Sequence, residues 1–184
     1  MTGRCTEPQV WRAGWPARVA AAGSCLLFLA FVERPAGGTL ADPRPGAVFF
    51  AAWTSLVAGW LCCRVGLWRL TADRDGVHIR RMWTVTFLPW SEIGRVELRR
   101  DGLLEFVGAV AVPLAGLFLP SWAGRLMGRR GAGGRAAQRL TGMARNADLR
   151  PQARAGRAAT GSAFASRALP LAVALFAAAE WIHR

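Results

Sequence analysis

A chain of 184 residues with 24 arginines, no lysine, no tyrosine and a formal charge of +13 is too short for two large domains, yet long enough for a small soluble module plus a few membrane helices. Its apolar share of 53% favours that second arrangement. The missing lysine and tyrosine read as the bias of a GC-rich genome, so total charge alone does not argue for nucleic acid.

The first apolar segment runs over residues 13–32, with Arg18 inside it. At the end of a span that arginine can snorkel to the headgroups, whereas at mid-bilayer it would cost about 2.5–3.5 kcal/mol. A loop with proline and glycine breakers follows at 33–46, its two acids balancing two arginines. Residues 46–63 then give 18 positions without a charge, close to the roughly 20 that cross a hydrocarbon core. The two segments predict a helical hairpin with both ends on one side. Arg4 and Arg12 before it, and Arg64 and Arg69 after it, predict that side to be cytoplasmic at the plasma membrane. A cleaved signal peptide is the competing reading, but no small-x-small site follows Val32 convincingly. Cys25 does not mark a lipoprotein signal, since the apolar run mostly follows it. Cys5, Cys25, Cys62 and Cys63 have neither metal-site nor disulfide-motif spacing, and the last three read as small buried residues.

From Leu67 the period changes from helix to strand. Val77 and Ile79 alternate with His78 and Arg80, Asp75-Gly76 signals a turn, and Met82-Trp83 marks a hairpin tip. Val85, Phe87 and Trp90 resume the apolar face, Pro89 ends the strand, and Ser91-Glu92 opens a corner where the Glu92 carboxylate can meet free backbone N–H groups. Arg95–Arg100 is another strand, with Asp101-Gly102 as its turn. Residues 103–122 are ambiguous: Phe106–Trp122 lacks charge, but Gly108, Pro113, Gly116 and Pro120 favour strands over a membrane segment.

The basic load is local. Residues 67–120 hold seven arginines and six acids, whereas 121–157 hold nine arginines (Arg125, Arg129, Arg130, Arg135, Arg139, Arg145, Arg150, Arg154 and Arg157) and one acid, Asp148. Within that stretch Ala136, Leu140, Met143, Ala144 and Ala147 share a helical face, which predicts a helix packed on the sheet in preference to a free amphipathic membrane helix. Residues 150–162 read as a flexible linker. Residues 163–182 predict a third span, with Arg167 and Glu180 near its ends and Trp181 at an interface.

The series GLWRLTADRDGVHIRRMWTVTFLPWSEIGRVELRRDG resembles the bacterial pleckstrin-homology-like (PH) domain family of small actinobacterial membrane proteins. Gly76, Pro89, Trp90, Glu92 and Ile93 fall on its pattern, as do the two preceding apolar segments and a basic helix ending in ADLRP. The resemblance covers roughly residues 64–150 and implies a curved antiparallel sheet closed at one end by a helix, with no activity attached. The run AVAVPLAGLF departs from it by being unusually apolar. The expected architecture is therefore an α+β membrane protein: tail and hairpin over 1–66, a PH-like β module with its packing helix over 67–149, the linker 150–162 and a third transmembrane helix in 163–184.

Catalytic chemistry finds few candidates. His78 sits on the outward phase of a strand without an evident orienting carboxylate, and His183 is next to the end, so no nucleophile has a base. No metal-ligand set, no P-loop and no cofactor motif is present; GRRGAGGR has glycines but no lysine and no preceding strand. No enzyme activity is expected. Two contact surfaces remain, the tip Arg80, Arg81, Met82 and Trp83, and the arginine-rich stretch with Arg125, Arg129, Arg130, Arg135 and Arg139. Each arginine near an anionic surface contributes about 1 kcal/mol, and the lack of interleaved aromatics ranks lipid headgroups or a protein partner above nucleic acid. An ordinary hairpin is the plainer reading of the tip. The expected role is a scaffold or interaction module; an accessory subunit of a transport or envelope complex is the alternative.

Overall fold

The computed structural model describes residues 6–32, 44–108 and 131–182, the side chains of 158 and 159 excepted. The chain is mixed α+β and divides into two compact units: Met1–Ala13 with Trp68–Ser162, and Gly14–Leu67 with Ala163–Arg184.

The helical unit holds α1 (Trp15–Phe31), α2 (Pro45–Gly66) and a late helix, Ala165–Ile182, matching the three expected apolar segments. Prolines in the first turns of α1 and α2 start each helix where a missing N–H costs nothing. Of the three helices, α2 and Ala165–Ile182 are long and apolar enough to cross a membrane. α2 packs between the other two. Its buried face is Ala51, Ser55, Gly59, Cys62, Cys63 and Gly66, small residues that let backbones come close. A Cβ on Gly59 would stand 3.1 Å from the Ala168 carbonyl oxygen and the Ala172 nitrogen. The Cys25 and Cys62 sulfurs face each other at 3.0 Å. Large apolar side chains point the other way: Trp15, Leu26, Phe31, Phe49, Trp53, Val173 and Trp181 are all exposed.

The β unit is built on a four-stranded antiparallel sheet in the order β1 (Gln9–Arg12), β2 (Arg69–Ala72), β3 (Gly76–Arg80), β4 (Val85–Pro89). The sequence reading left residues 9–12 in a tail; they pair with β2 instead, Gln9 opposite Ala72 and Arg12 opposite Arg69. Gly76 faces Pro89 across the β3–β4 ladder, and a Cβ there would lie 2.2 Å from the Leu88 carbonyl oxygen. A separate antiparallel pair, β5 (Arg95–Leu98) and β6 (Leu104–Val107), turns at Gly102, whose φ of 84° suits glycine. Helix α3 (Ala132–Arg145) packs on β5; Thr141 Oγ1 accepts from Val96 N–H at 2.8 Å and donates to the Val96 carbonyl at 3.2 Å. Leu70, Val77, Ile79, Trp90, Val96, Leu104, Phe106, Leu140 and Met143 form the core. The ambiguous run 103–122 opens as β6; its remainder from 109 on lies outside the described residues.

Segment 150–162, expected as a linker, is bonded to the sheet. Ala153 donates to the Thr6 carbonyl and accepts from Arg74 N–H, and the one-turn helix α4 (Arg157–Thr160) lies against β2 and β3. The late helix Ala165–Ile182 is α5.

Candidate functional site

Strand direction gives the β unit two distinct ends. At one, the β2–β3 turn is organised by Asp73, which is 3% exposed. Its Oδ1 accepts from the Asp75 and Gly76 N–H groups, while Oδ2 accepts from Ala155 N–H and contacts His78 Nε2, all at 2.9–3.0 Å. Burial on its own would raise the Asp73 carboxyl; the hydrogen bonds from Ala155, Gly76, His78 and Asp75 outweigh it and hold the group below the ordinary carboxylate value. His78, expected to lack an orienting carboxylate, therefore has one. Asp73 is occupied by backbone donors, and the His78 ring packs on Phe87 with centroids 4.9 Å apart, so the pair braces a turn. Nearby, Trp90 Nε1 donates to the Asp73 carbonyl at 3.0 Å, and the Arg150 guanidinium lies over the Trp90 ring at 5.5 Å while capping the α3 carbonyls of Met143 and Ala144. An open cavity of about 510 Å³ lies beside it, lined by Arg74, Ala147, Asp148, Arg150, Pro151 and Gln152.

The other end is basic. Arg12 lies opposite Arg69 in the β1–β2 ladder, and the β2–β3 register, Leu70 opposite Ile79, carried one residue on, sets Arg69 beside Arg80. Three arginines thus occupy one rung, where directly opposite residues share a face. Gly161 confirms the convergence: a Cβ there would lie 3.5 Å from Arg69 Nη1 and 4.0 Å from Arg80 Cζ. The two guanidinium groups are therefore within about 8 Å of each other, a separation at which like charges repel by roughly 2 kcal/mol at an effective dielectric of about 20. Arg80 Nε donates to the Ser162 carbonyl. Arg69 Nε is buried and has no hydrogen-bond partner among the described residues. Gly161 holds φ at +73°, a conformation that other residues adopt only under strain.

The same end carries the β3–β4 tip. Arg81 N–H donates to the Thr84 carbonyl at 2.9 Å, closing a tight turn that leaves Arg81 exposed, Met82 half-buried and Trp83 66% exposed. The predicted tip residues Arg80, Arg81, Met82 and Trp83 are thus brought together. Arg135 and Arg139 lie on the exposed face of α3, a different element; Arg125, Arg129 and Arg130 lie outside the described residues. Of the pattern residues, Trp90 and Ile93 are core, Gly76 is required by close backbone approach, Pro89 ends β4, and Glu92 closes a 3-10 turn after it. Arg12 and Arg69 were read from the sequence only as flanks of the apolar segments, not as site residues, so their pairing across β1 and β2 was invisible.

Compared with family models, curated proteins and solved structures, the chain matches none. What the arrangement can do follows from its chemistry. One end offers guanidinium forks and an exposed tryptophan, the other an open cavity of mixed charge.

Proposed function

We propose that the chain is a multi-pass membrane protein whose PH-like β unit sits at the cytoplasmic face as a non-catalytic interaction module, meeting anionic headgroups with one end and a protein partner with the other. The observation that carries this reading is the clustering of exits. The chain leaves the β unit after Ala13, returns at Trp68 and leaves again after Ser162, and Arg12, Arg69, Arg80 and the Trp83 tip all occupy that end of the sheet. Arginine with an interfacial tryptophan is the composition suited to a headgroup layer.

Two further facts support a membrane setting for the helices. Only 28% of the apolar window in α2 and in α5 is buried, whereas the core helix of a soluble protein is mostly covered. Small residues inside with large apolar ones outside is the packing of helices in lipid. The β1–β2 ladder is consistent with that setting: because β1 pairs with β2, residues 12 and 69 share a side, and an α1–α2 hairpin that enters the membrane returns to the side it left. The Arg80–Ser162 hydrogen bond holds the chain that leads to α5 at the same end of the sheet.

Topology tests the reading directly. Single cysteines at Gly37, Arg81 and Arg184 in a cysteine-free background are labelled in intact cells with a membrane-impermeant maleimide. Labelling at 37 and 184 but not at 81 is the expected pattern; labelling at 81 places the β unit outside and removes cytoplasmic partners. The accessory-subunit reading is favoured by the cavity at Arg74, Asp148 and Arg150, and a stoichiometric membrane partner lost on R74E would select it.

A further inference from the structure

We propose that Cys25 and Cys62 are a redox-active thiol pair, which an apolar hydroperoxide oxidises to a disulfide joining α1 to α2. The apolar character of the oxidant rests on the membrane reading above; the pair itself rests on packing within the helical unit. Both thiols are free, and their sulfurs stand 3.0 Å apart, about 1 Å more than in a disulfide. The helices are held to this approach one turn away, where Ala21 meets Gly66: a Cβ on Gly66 would lie 3.1 Å from that of Ala21, and small residues at such a point let the backbones come close. From 21 to 25 on α1 and from 66 to 62 on α2 the chain steps by four in opposite directions, so the antiparallel register that seats the small pair also seats the two cysteines on facing turns.

The two sulfurs differ in access. Cys25 is half-buried and Cys62 is buried, so Cys25 meets the oxidant and Cys62 resolves the product. Leu26 and Leu27 beside the one and Leu61 beside the other are all exposed, so a reagent reaches Cys25 across apolar surface, which favours an uncharged hydroperoxide carried in lipid over a hydrophilic oxidant. The Cys25 sulfur attacks the terminal oxygen of the hydroperoxide; the O–O bond breaks, the alcohol leaves with the thiol proton, and Cys25 becomes a sulfenic acid. The Cys62 sulfur then attacks the Cys25 sulfur, the S–S bond forms, and the S–O bond breaks, the hydroxyl leaving as water with the Cys62 proton. Two thiols thereby give up two electrons, and one hydroperoxide is reduced to its alcohol. A dithiol reductant restores the pair by thiol–disulfide exchange. Oxidation thus fixes α1 on α2 and reduction frees it.

Full-length protein in native membranes, reduced and then freed of reductant, is treated with cumene hydroperoxide or with hydrogen peroxide, and its thiols are mapped by alkylation and peptide mass spectrometry. A Cys25–Cys62 cross-link that dithiothreitol reverses is expected, formed at least tenfold faster than Cys5 of the same chain is oxidised, and faster with cumene hydroperoxide than with hydrogen peroxide. C62S should halt at a Cys25 sulfenic acid that dimedone traps, C25S should leave Cys62 reduced, and C63S should cross-link as the wild type does. In the purified protein one cumyl alcohol should appear per disulfide. A pair oxidised no faster than Cys5, or a disulfide made through Cys63 instead, overturns the proposal. Hydrogen peroxide acting as fast as cumene hydroperoxide overturns the apolar-oxidant assignment. Alkaline carbonate extraction separates this from the broader reading: protein that resists extraction with an unreactive pair loses the pair alone, and protein that is released while the pair still cross-links loses the membrane reading and the lipid-carried oxidant.

Discussion

Asp73 shows how much one side chain can hold. It accepts from three backbone N–H groups and contacts His78, joining the β2–β3 turn to Ala155 far along the chain. Replacing it with alanine leaves buried donors without an acceptor, so D73A is expected to cost roughly 3 kcal/mol, measured as a lowered denaturation midpoint of the β unit in the full-length protein. The pH dependence has a definite sign. A carboxyl held below its ordinary value of 3.8 contributes stability that is fully present above that value and lost as pH falls through the lower folded value. The wild type should therefore weaken on acidification below about pH 4, and D73N should remove that part of the dependence; an unchanged acid limb would contradict it. Two glycines give a paired prediction of opposite sign. G76A forces a Cβ against the Leu88 carbonyl oxygen and is expected to destabilise by on the order of 3 kcal/mol. G134A, with nothing within 4 Å inside α3, should stabilise by about 0.5–1 kcal/mol. Gly76 was legible in the sequence as a turn glycine next to Asp75, but the reason it must be glycine lies on the opposite strand.

At the scale of elements, the local patterns were readable because each rests on its own periodicity. Val77 and Ile79 announced β3, Pro89-Trp90 the corner, and Ala136, Leu140 and Met143 the buried face of α3. Tertiary pairings were not readable. Cys25 and Cys62 lie far apart in sequence with no motif between them, yet their helices bring the sulfurs to 3.0 Å. Mild oxidation of native membranes with copper phenanthroline should therefore join α1 to α2 through these two thiols. With a protease site placed in the loop after Glu33, the two fragments should stay together on a non-reducing gel, and C25S or C62S should release them. Fragments that separate in the oxidised wild type would mean that α1 and α2 do not pack on these faces. The rung escaped the sequence for the same reason: Arg12 and Arg80 converge only through the registers on either side of β2.

For the molecule as a whole, the segment most misjudged from sequence was one of the short strands, four residues long. Gln9–Arg12 reads as a charged flank because its four residues are too few to show a period, and its partner lies beyond two apolar helices. Removing residues 1–12 should lower the denaturation midpoint of the β unit and leave the edge of β2 open to association. A deletion that leaves both the midpoint and the monomer fraction in size-exclusion chromatography unchanged would show the strand to be dispensable. The β1–β2 ladder also orders events during synthesis. The first strand emerges ahead of α1 and α2, whereas the strand it needs emerges after them, so the nascent chain carries an orphan edge until the whole hairpin has been made and has turned back. A chain whose hairpin fails to turn back leaves β1 away from β2 and keeps an incomplete sheet, so the finished ladder reports on the packing of the two helices between its strands.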